Sequence, residues 1–332
     1  MQKKIIGISL GDPAGIGPEI LIKAFPEITK LKKHMPLVVG DISVIVRNLK
    51  YAGLKYRLKS VKVMGDIDEN ALNIYETSVL SDEKFPIGKD SAVCGNASFT
   101  YVQKAVALWK QKMISALVTL PISKKAWHLA GKFYSGHTEF LASELNAKKY
   151  AMIMEAGTIR VLLVTTHVPL KEVPVILTRD LIVDKVMTVY KFLLGTGIKT
   201  PVIVVSSLNP HGGEGGLLGV EEEEVIKPAI SLLSKRGIRC TGPFPADAIF
   251  KKAIEEKTDL IVAMYHDQAL IPLKTFFHSR LVNYTAGLEM IRTSPGHGTG
   301  FDIAYSNKAD PSSFIQSYKK AAYLVKMKSL SG

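Results

Sequence analysis

Cysteine is nearly absent: Cys94 and Cys240 are the only two in 332 residues. Two isolated thiols cannot build a disulfide framework, and a reducing cytoplasm is the compartment that such a composition suits. Long apolar runs are missing too. No stretch reaches the roughly 20 residues that a membrane-crossing helix needs. The opening MQKKIIGISLGD passes from two lysines into a short strand and a glycine turn, so neither a signal peptide nor a membrane anchor is expected. Aromatic residues, 8% of the chain, do not interleave with basic ones in an RNA-binding pattern. The formal charge of +13 therefore carries little weight as a nucleic-acid signal. Its lysines are dispersed (Lys30, Lys32 and Lys33; Lys124 and Lys125; Lys251 and Lys252; Lys319 and Lys320) and form no stripe. An anionic small substrate accounts for the excess equally well, so neither nucleic acid nor membrane is expected as a partner.

What is present is an alternation of apolar strands with helical periodicity, the pattern of an α/β protein with a largely parallel sheet. The length allows two domains or one large two-lobed unit. KIIGISL runs into GDPAGIGPE and a helix, and PLVVG precedes a helix near Ile42 to Leu49. The polar stretch SDEKFPIGKDSAVCGNAS then interrupts the pattern before a helix in AVALWKQKM and the strand ISALVTLP. AMIMEAG and IRVLLVTTH read as a hairpin, followed by a long helix from Asp180 to Leu194 and the strand PVIVVSS. GVEEEEVIKPAISLLSKRG starts acidic and ends basic, as a helix dipole favours, so Glu221 to Glu224 are expected to be a solvated helix start. SSFIQSYKKAAYLVKMK closes the chain as an amphipathic helix.

Three histidines each end an apolar run: His167 in VLLVTTHVPL, His211 in VIVVSSLNPHGGEGG and His266 in LIVAMYHDQALIPLK. A parallel sheet delivers the carboxyl ends of its strands to one crevice, where imidazoles far apart in sequence can meet around an ion or a substrate. Neutral imidazole is the commonest protein ligand for zinc-like metals. A single strand-end histidine is ordinarily a hydrogen-bonded loop residue, and it is the repetition that suggests a metal centre. Thr165 and Thr166, Asn209 and Pro210, and Asp267 and Gln268 stand where they could orient the rings. The remaining histidines, His34, His128, His137, His278 and His297, mostly lack such a strand.

Other motifs are weaker alone. GDPAGIGPE could present backbone amides to an anion, but it is neither G-x-G-x-x-G nor a P-loop, and a tight structural turn explains it as well. SGHTEFLASEL places His137 and Thr138 before a helix, where they suit a phosphate or carboxylate; ordinary capping by Thr138 is the plainer alternative. Lys274, Asn283 and Arg292 follow His266 and could grip a doubly anionic substrate, although surface cations usually do nothing of the kind. PGHGTGFD could form a backbone nest for a nucleotide or simply a surface loop.

Taken together and in order, GDPAGIGPE, PISK, GHTEFLA, TTHVPL, LNPHGGEGG, GPFPAD, YHDQALIPLK, VNYTAGL, IRTS and HGTG make the chain resemble the 4-hydroxythreonine-4-phosphate dehydrogenase (PdxA) family across nearly its whole length. The resemblance implies a two-lobed α/β/α isocitrate/isopropylmalate dehydrogenase-like fold with the active site in the interlobe cleft. Residues 1–130 and 280–332 would form one lobe and residues 131–279 the other. It implies a homodimer with its active site at the subunit interface, so that one subunit need not hold a complete site. It makes His167, His211 and His266 ligands of one divalent metal per subunit (zinc, magnesium or cobalt). His137, Thr138, Lys274, Asn283 and Arg292 would bind substrate, and His297, Gly298 and Thr299 would bind NAD or NADP. The implied reaction oxidises 4-phosphooxy-L-threonine at C3 and decarboxylates the product to 3-amino-2-oxopropyl phosphate, in pyridoxal 5'-phosphate biosynthesis. A paralogous group acts on four-carbon sugar-acid or threonate phosphates. The general base stays open among Lys274, Asp247, Asp267 and a metal-bound water. Family members commonly carry leucine at Ala286, proline at Glu289, aspartate at Gly296 and alanine at Gly300, departures that bear on cofactor preference and substrate choice.

Overall fold

The computed structural model describes residues 3–31, 34–80 and 84–331. Lys32 and Lys33, and positions 81–83 of the polar stretch, lie outside the described residues. The strands are β1 (Lys4–Ser9), β2 (His34–Gly40), β3 (Leu58–Ser60), β4 (Leu72–Glu76), β5 (Ala116–Thr119), β6 (Ala151–Ala156), β7 (Ile159–Leu163), β8 (Val202–Ser206), β9 (Arg239–Phe244), β10 (Leu260–Ala263), β11 (Val282–Ala286) and β12 (Ile291–Pro295). They fall into two compact units, Met1–Asn146 with Leu288–Lys326, and Ala147–Gly287 with Met327–Gly332. This division assigns 131–146 to the first unit and 280–287 to the second, because Phe140 and Leu141 pack with Phe99 and Trp127 while Val282 and Tyr284 pack with Ile153 and Leu162.

In the first unit the strand order is β3-β4-β2-β1-β5-β12, parallel throughout. Successive strand residues point to opposite faces, and both faces are apolar. Ile6, Ile8, Val38, Ala116 and Val118 face a core built with the helices Gly17–Ile28, Ile42–Ala52 and Ser312–Ser331. Ile5, Leu37, Val39 and Leu117 face a second core with Phe99, Val106, Trp127 and Phe140. The second unit is ordered β11-β6-β7-β10-β8-β9, with β11, β6 and β7 antiparallel in turn and the rest parallel. Leu162, Val205 and Val262 meet the helix Arg179–Gly195 on one face, while Val161, Val204 and Ala263 meet the helices Ala246–Glu255 and His266–Phe277 on the other. Each unit is thus an α/β/α sandwich, the fold class expected. Among the described residues no helix is long and apolar enough to cross a membrane.

Two local expectations change. The helix in the AVALWKQKM region begins much earlier, at Ala92, where Ser91 Oγ accepts from the Cys94 N–H at 3.2 Å. Gly95 sits inside it because a Cβ there would stand 2.0 Å from the Ala126 carbonyl oxygen. The glutamate run is not uniformly solvated either: it enters a π-helical turn, Glu222–Ile226, and Glu222 is buried.

Candidate active site

In the second unit, aligned registers bring the carboxyl ends of β7, β10 and β8 to one edge: Leu162 and Val205 both pair with Val262. Polar side chains then lock the segments that leave the strands. Thr165 donates its N–H and its hydroxyl to the Met264 carbonyl at 3.1 and 2.8 Å. Gln268 accepts from the Met264 N–H at 2.7 Å and donates to the Ser207 carbonyl at 2.7 Å. Thr165 and Gln268, expected to orient the rings, thus brace backbone against backbone.

His167 and His266 meet, with ring centroids 5.8 Å apart. They share a cavity of about 220 Å³ with Thr166, Val168, Tyr265 and Asp267. His266 Nδ1 lies 2.6 Å from Asp267 Oδ1, so the carboxylate fixes a tautomer whose Nε2 lone pair is available. Asp267 therefore acts on the imidazole, which weakens its candidacy as the general base. His211 opens a loop in which every residue from 211 to 215 is left-handed. Among the described residues no group of three or more His, Cys, Asp or Glu side chains converges as a metal site. Lys274 is exposed on the helix His266–Phe277, Asp247 is exposed on the helix Ala246–Glu255, and Asn283 on β11 has a buried Oδ1 without a hydrogen-bond partner.

The first unit holds an anion-seeking cluster. Arg292 on β12 is only 4% exposed, and its Nε and Nη2 both donate to Thr119 Oγ1, at 3.1 and 2.8 Å. Its Nη1 is buried without a partner, as is Nε2 of His137. Burial lowers the guanidinium to about 10, opposed by the Glu139 carboxylate, so Arg292 stays charged at neutral pH. Burial, then the charges of Arg292 and Lys124, hold His137 well below the usual imidazole range. His137 is thus neutral at pH 7, its ring edge-on to Trp127 at 5.6 Å. The helix His137–Glu144 starts two residues earlier than a Thr138 cap requires. Gly136 is the N-cap, with φ 153°, and Thr138 lies buried inside the first turn, so the capping reading fails.

The two glycine loops of this unit are docked together. Ile16 N–H donates to the Thr299 carbonyl at 2.8 Å, and a Cβ on Gly15 would stand 2.7 Å from that oxygen. His297, Gly298 and Thr299 therefore lie beside the GDPAGIG turn. That turn holds Asp12, fully buried: Oδ1 accepts from the Ala14 N–H at 2.9 Å and Oδ2 has no partner. Burial, aided by Asp90 and opposed by the Ala14 and Ser123 N–H groups, pushes this carboxyl up to about 6.

The family model described as pyridoxal phosphate biosynthetic protein PdxA matches residues 32–321. The chain belongs to the PdxA family. A 4-hydroxythreonine-4-phosphate dehydrogenase of Sulfurihydrogenibium sp. (strain YO3AOP1) is 39% identical over 97% of this chain and 99% of its own length. A D-threonate 4-phosphate dehydrogenase of Pectobacterium atrosepticum is 38% identical over 97% of this chain and 100% of its own. Among solved structures, a 4-hydroxythreonine-4-phosphate dehydrogenase from Klebsiella pneumoniae superposes with a TM-score of 0.84 at 34% identity, over 97% of this chain and 100% of that one. This PdxA-family chain is accordingly a dehydrogenase.

Two residues at the site, and the buried Glu222 of the second unit, carry little mark in the sequence. Thr119 is signalled only by its place at the end of β5, one strand from Arg292. Lys124 was visible within PISK but read as one dispersed lysine among many. Glu222 was hidden among identical neighbours.

Proposed function

We propose that this PdxA-family enzyme oxidises 4-phosphooxy-L-threonine at C3 with NAD or NADP and decarboxylates the resulting β-keto acid to 3-amino-2-oxopropyl phosphate. The observation that carries the reading is the buried Arg292 with an unpartnered Nη1 beside a neutral His137, inside a chain of this family. A phosphate offers acceptors to both groups, and Thr138 adds a hydroxyl. Lys274 and Asn283 are assigned to the rest of the substrate. Binding energy from the remote phosphate aligns the reacting carbon.

His167, His211 and His266 are the proposed ligands of a divalent ion. The paired imidazoles, one with its Nδ1 tied to Asp267, fit such a group, and an imidazole set suits zinc or cobalt better than magnesium. Held by His167, His211 and His266, the ion would supply Lewis-acid polarisation of substrate oxygen, and the nicotinamide would supply hydride-accepting chemistry for oxidation at C3. The chain's own work is to position the hydroxyl, hold the carboxylate that departs as carbon dioxide, and receive the hydroxyl proton. The docked His297-Gly298-Thr299 loop is the proposed cofactor contact. A homodimer with a shared site is part of the proposal, and exposed apolar residues on the second unit support it.

The second reading is oxidation of D-threonate 4-phosphate, favoured by relatives of that name at nearly equal identity. The two substrates differ at C2, amine against hydroxyl. Turnover of both compounds with NAD and with NADP, followed by reduced-nicotinamide absorbance, decides between them. Preference for the threonate would overturn the first reading, and no turnover of either would overturn both.

A further inference from the structure

Five successive residues of the loop after β8 are left-handed: His211 (φ 52°), Gly212 (73°), Gly213 (76°), Glu214 (44°) and Gly215 (67°). Glycine adopts this conformation freely, whereas His211 and Glu214 do so against their side chains. Such backbone persists where its surroundings over-determine it. The determinant here is a single buried carboxylate. Glu222 Oε1 accepts from the Leu208 and Asn209 N–H groups at 2.7 and 2.8 Å, and Oε2 accepts from Asn209 Nδ2 at 2.9 Å. The loop lies directly on it: a Cβ on Gly213 would stand 2.6 Å from Glu222 Oε2. Glu221 takes a further bond from Asn209 Nδ2 at 2.7 Å, and a Cβ on Gly219 would stand 2.4 Å from that nitrogen.

The π-helical turn Glu222–Ile226 marks the same place. π-Turns are rare and concentrate at functional sites. Here the turn coincides with one buried glutamate in a run whose next two members, Glu223 and Glu224, are exposed. A carboxylate removed from water is costly unless hydrogen-bonded, and three N–H donors meet that cost in this case.

We propose that Glu222 is the positioning residue of His211, clamping Asn209 and the left-handed loop so that the imidazole is preset for its ligand. The proposal rests on the metal reading of His211 given above. It accounts for a buried charge that a plain helix start has no use for. It also explains why the loop carries glycine at 212, 213 and 215, around a histidine held in the same conformation.

The test compares the metal-free wild type with Glu222→Ala, Glu222→Gln and His211→Ala. Amide exchange over residues 208–216 is followed by mass spectrometry, and Co²⁺ is titrated by calorimetry and by its visible absorption. Glu222→Ala is expected to speed exchange in that loop and to weaken Co²⁺ binding by roughly 10–100-fold, the usual cost of losing such a support. Inorganic phosphate affinity and the melting of the rest of the protein should change little. Glu222→Gln keeps an amide oxygen as acceptor for both backbone N–H groups, in neutral hydrogen bonds, and should restore Co²⁺ affinity to within about threefold of wild type. If Glu222→Ala does not fold, Glu222→Asp, one methylene short, replaces it with the same expectation. Unchanged loop exchange, or loosened exchange with wild-type Co²⁺ affinity, would overturn the proposal. A wild type that binds no Co²⁺, with exchange still loosened by Glu222→Ala, would sink the metal reading and uphold the positioning role.

Discussion

Arg292 spends three of its donors unevenly: Nε and Nη2 are tethered to Thr119, while Nη1 waits in a buried site. A guanidinium so held is preorganised for an oxyanion. Replacing it with alanine should raise the Michaelis constant for the phosphorylated substrate by about 1.5–3 kcal/mol of lost binding, the range for one charged hydrogen bond. An unchanged constant would remove Arg292 from the substrate. Asp12 titrates in the folded state near 6 against 3.8 for its ordinary value. A raised carboxyl stabilises the fold fully below the ordinary value and loses that contribution as pH rises through the folded one. The loss approaches about 3 kcal/mol by pH 7. Asp12→Asn keeps an acceptor for the Ala14 N–H and escapes the penalty. Relative to wild type it should therefore gain up to about 3 kcal/mol between pH 3.5 and pH 7 in urea unfolding. A wild-type-to-variant difference that stays flat across that range would contradict the buried, partnerless Oδ2. His137 has the opposite sign: its depressed pKa contributes stability above the ordinary 6.5 that is lost as pH falls.

Elements meet this chemistry at the strand ends. Gln268 joins the exits of β10 and β8, and Thr165 joins the exit of β7 to that of β10. Gln268→Ala would leave the buried Met264 N–H without its partner and the Ser207 carbonyl with the Ser206 hydroxyl alone, so urea unfolding should show about 1–3 kcal/mol of lost stability, the cost of one orphaned buried group. A loss below about 1 kcal/mol would mean that water replaces the amide. The sequence pattern discloses much at this scale, because parallel strands buried on both faces read as continuous apolar runs and announce where they end. The hairpin β6–β7 and the helix Arg179–Gly195 follow the same pattern. The helix start at Ala92 has a local mark in its Ser91 cap, but Gly95 within it is explained only by the distant Ala126, and the cap at Gly136 only by packing that brings Lys124 beside it. Glu222 was least legible of all. Four identical letters carry no mark of which one Asn209 will claim, and burial, decided by tertiary pairing, makes the distinction.

For the whole molecule, the second unit leaves an apolar face open between the helices Ala246–Glu255 and His266–Phe277. Ile254, Ile271 and Phe276 are 58, 65 and 76% exposed around a cavity of about 990 Å³. Contiguous exposed apolar surface of this kind marks an interaction site. A second copy of the chain is the partner that the proposed shared-site dimer requires. Light scattering of the purified protein should give twice the chain mass, and Phe276→Glu with Ile271→Glu, which place two carboxylates in that face, should give the chain mass with the melting curve of each unit preserved. A dimer that survives both substitutions would place the interface elsewhere. The same variant bears on the metal, because His167 and His266 approach each other within one chain while no group of three or more His, Cys, Asp or Glu that could hold a metal ion forms among the described residues. If a partner completes the site, the monomeric variant loses Co²⁺ affinity together with dimer mass, and raising the protein concentration does not restore it. A monomer that binds Co²⁺ as tightly as the dimer would show that each chain completes its own site.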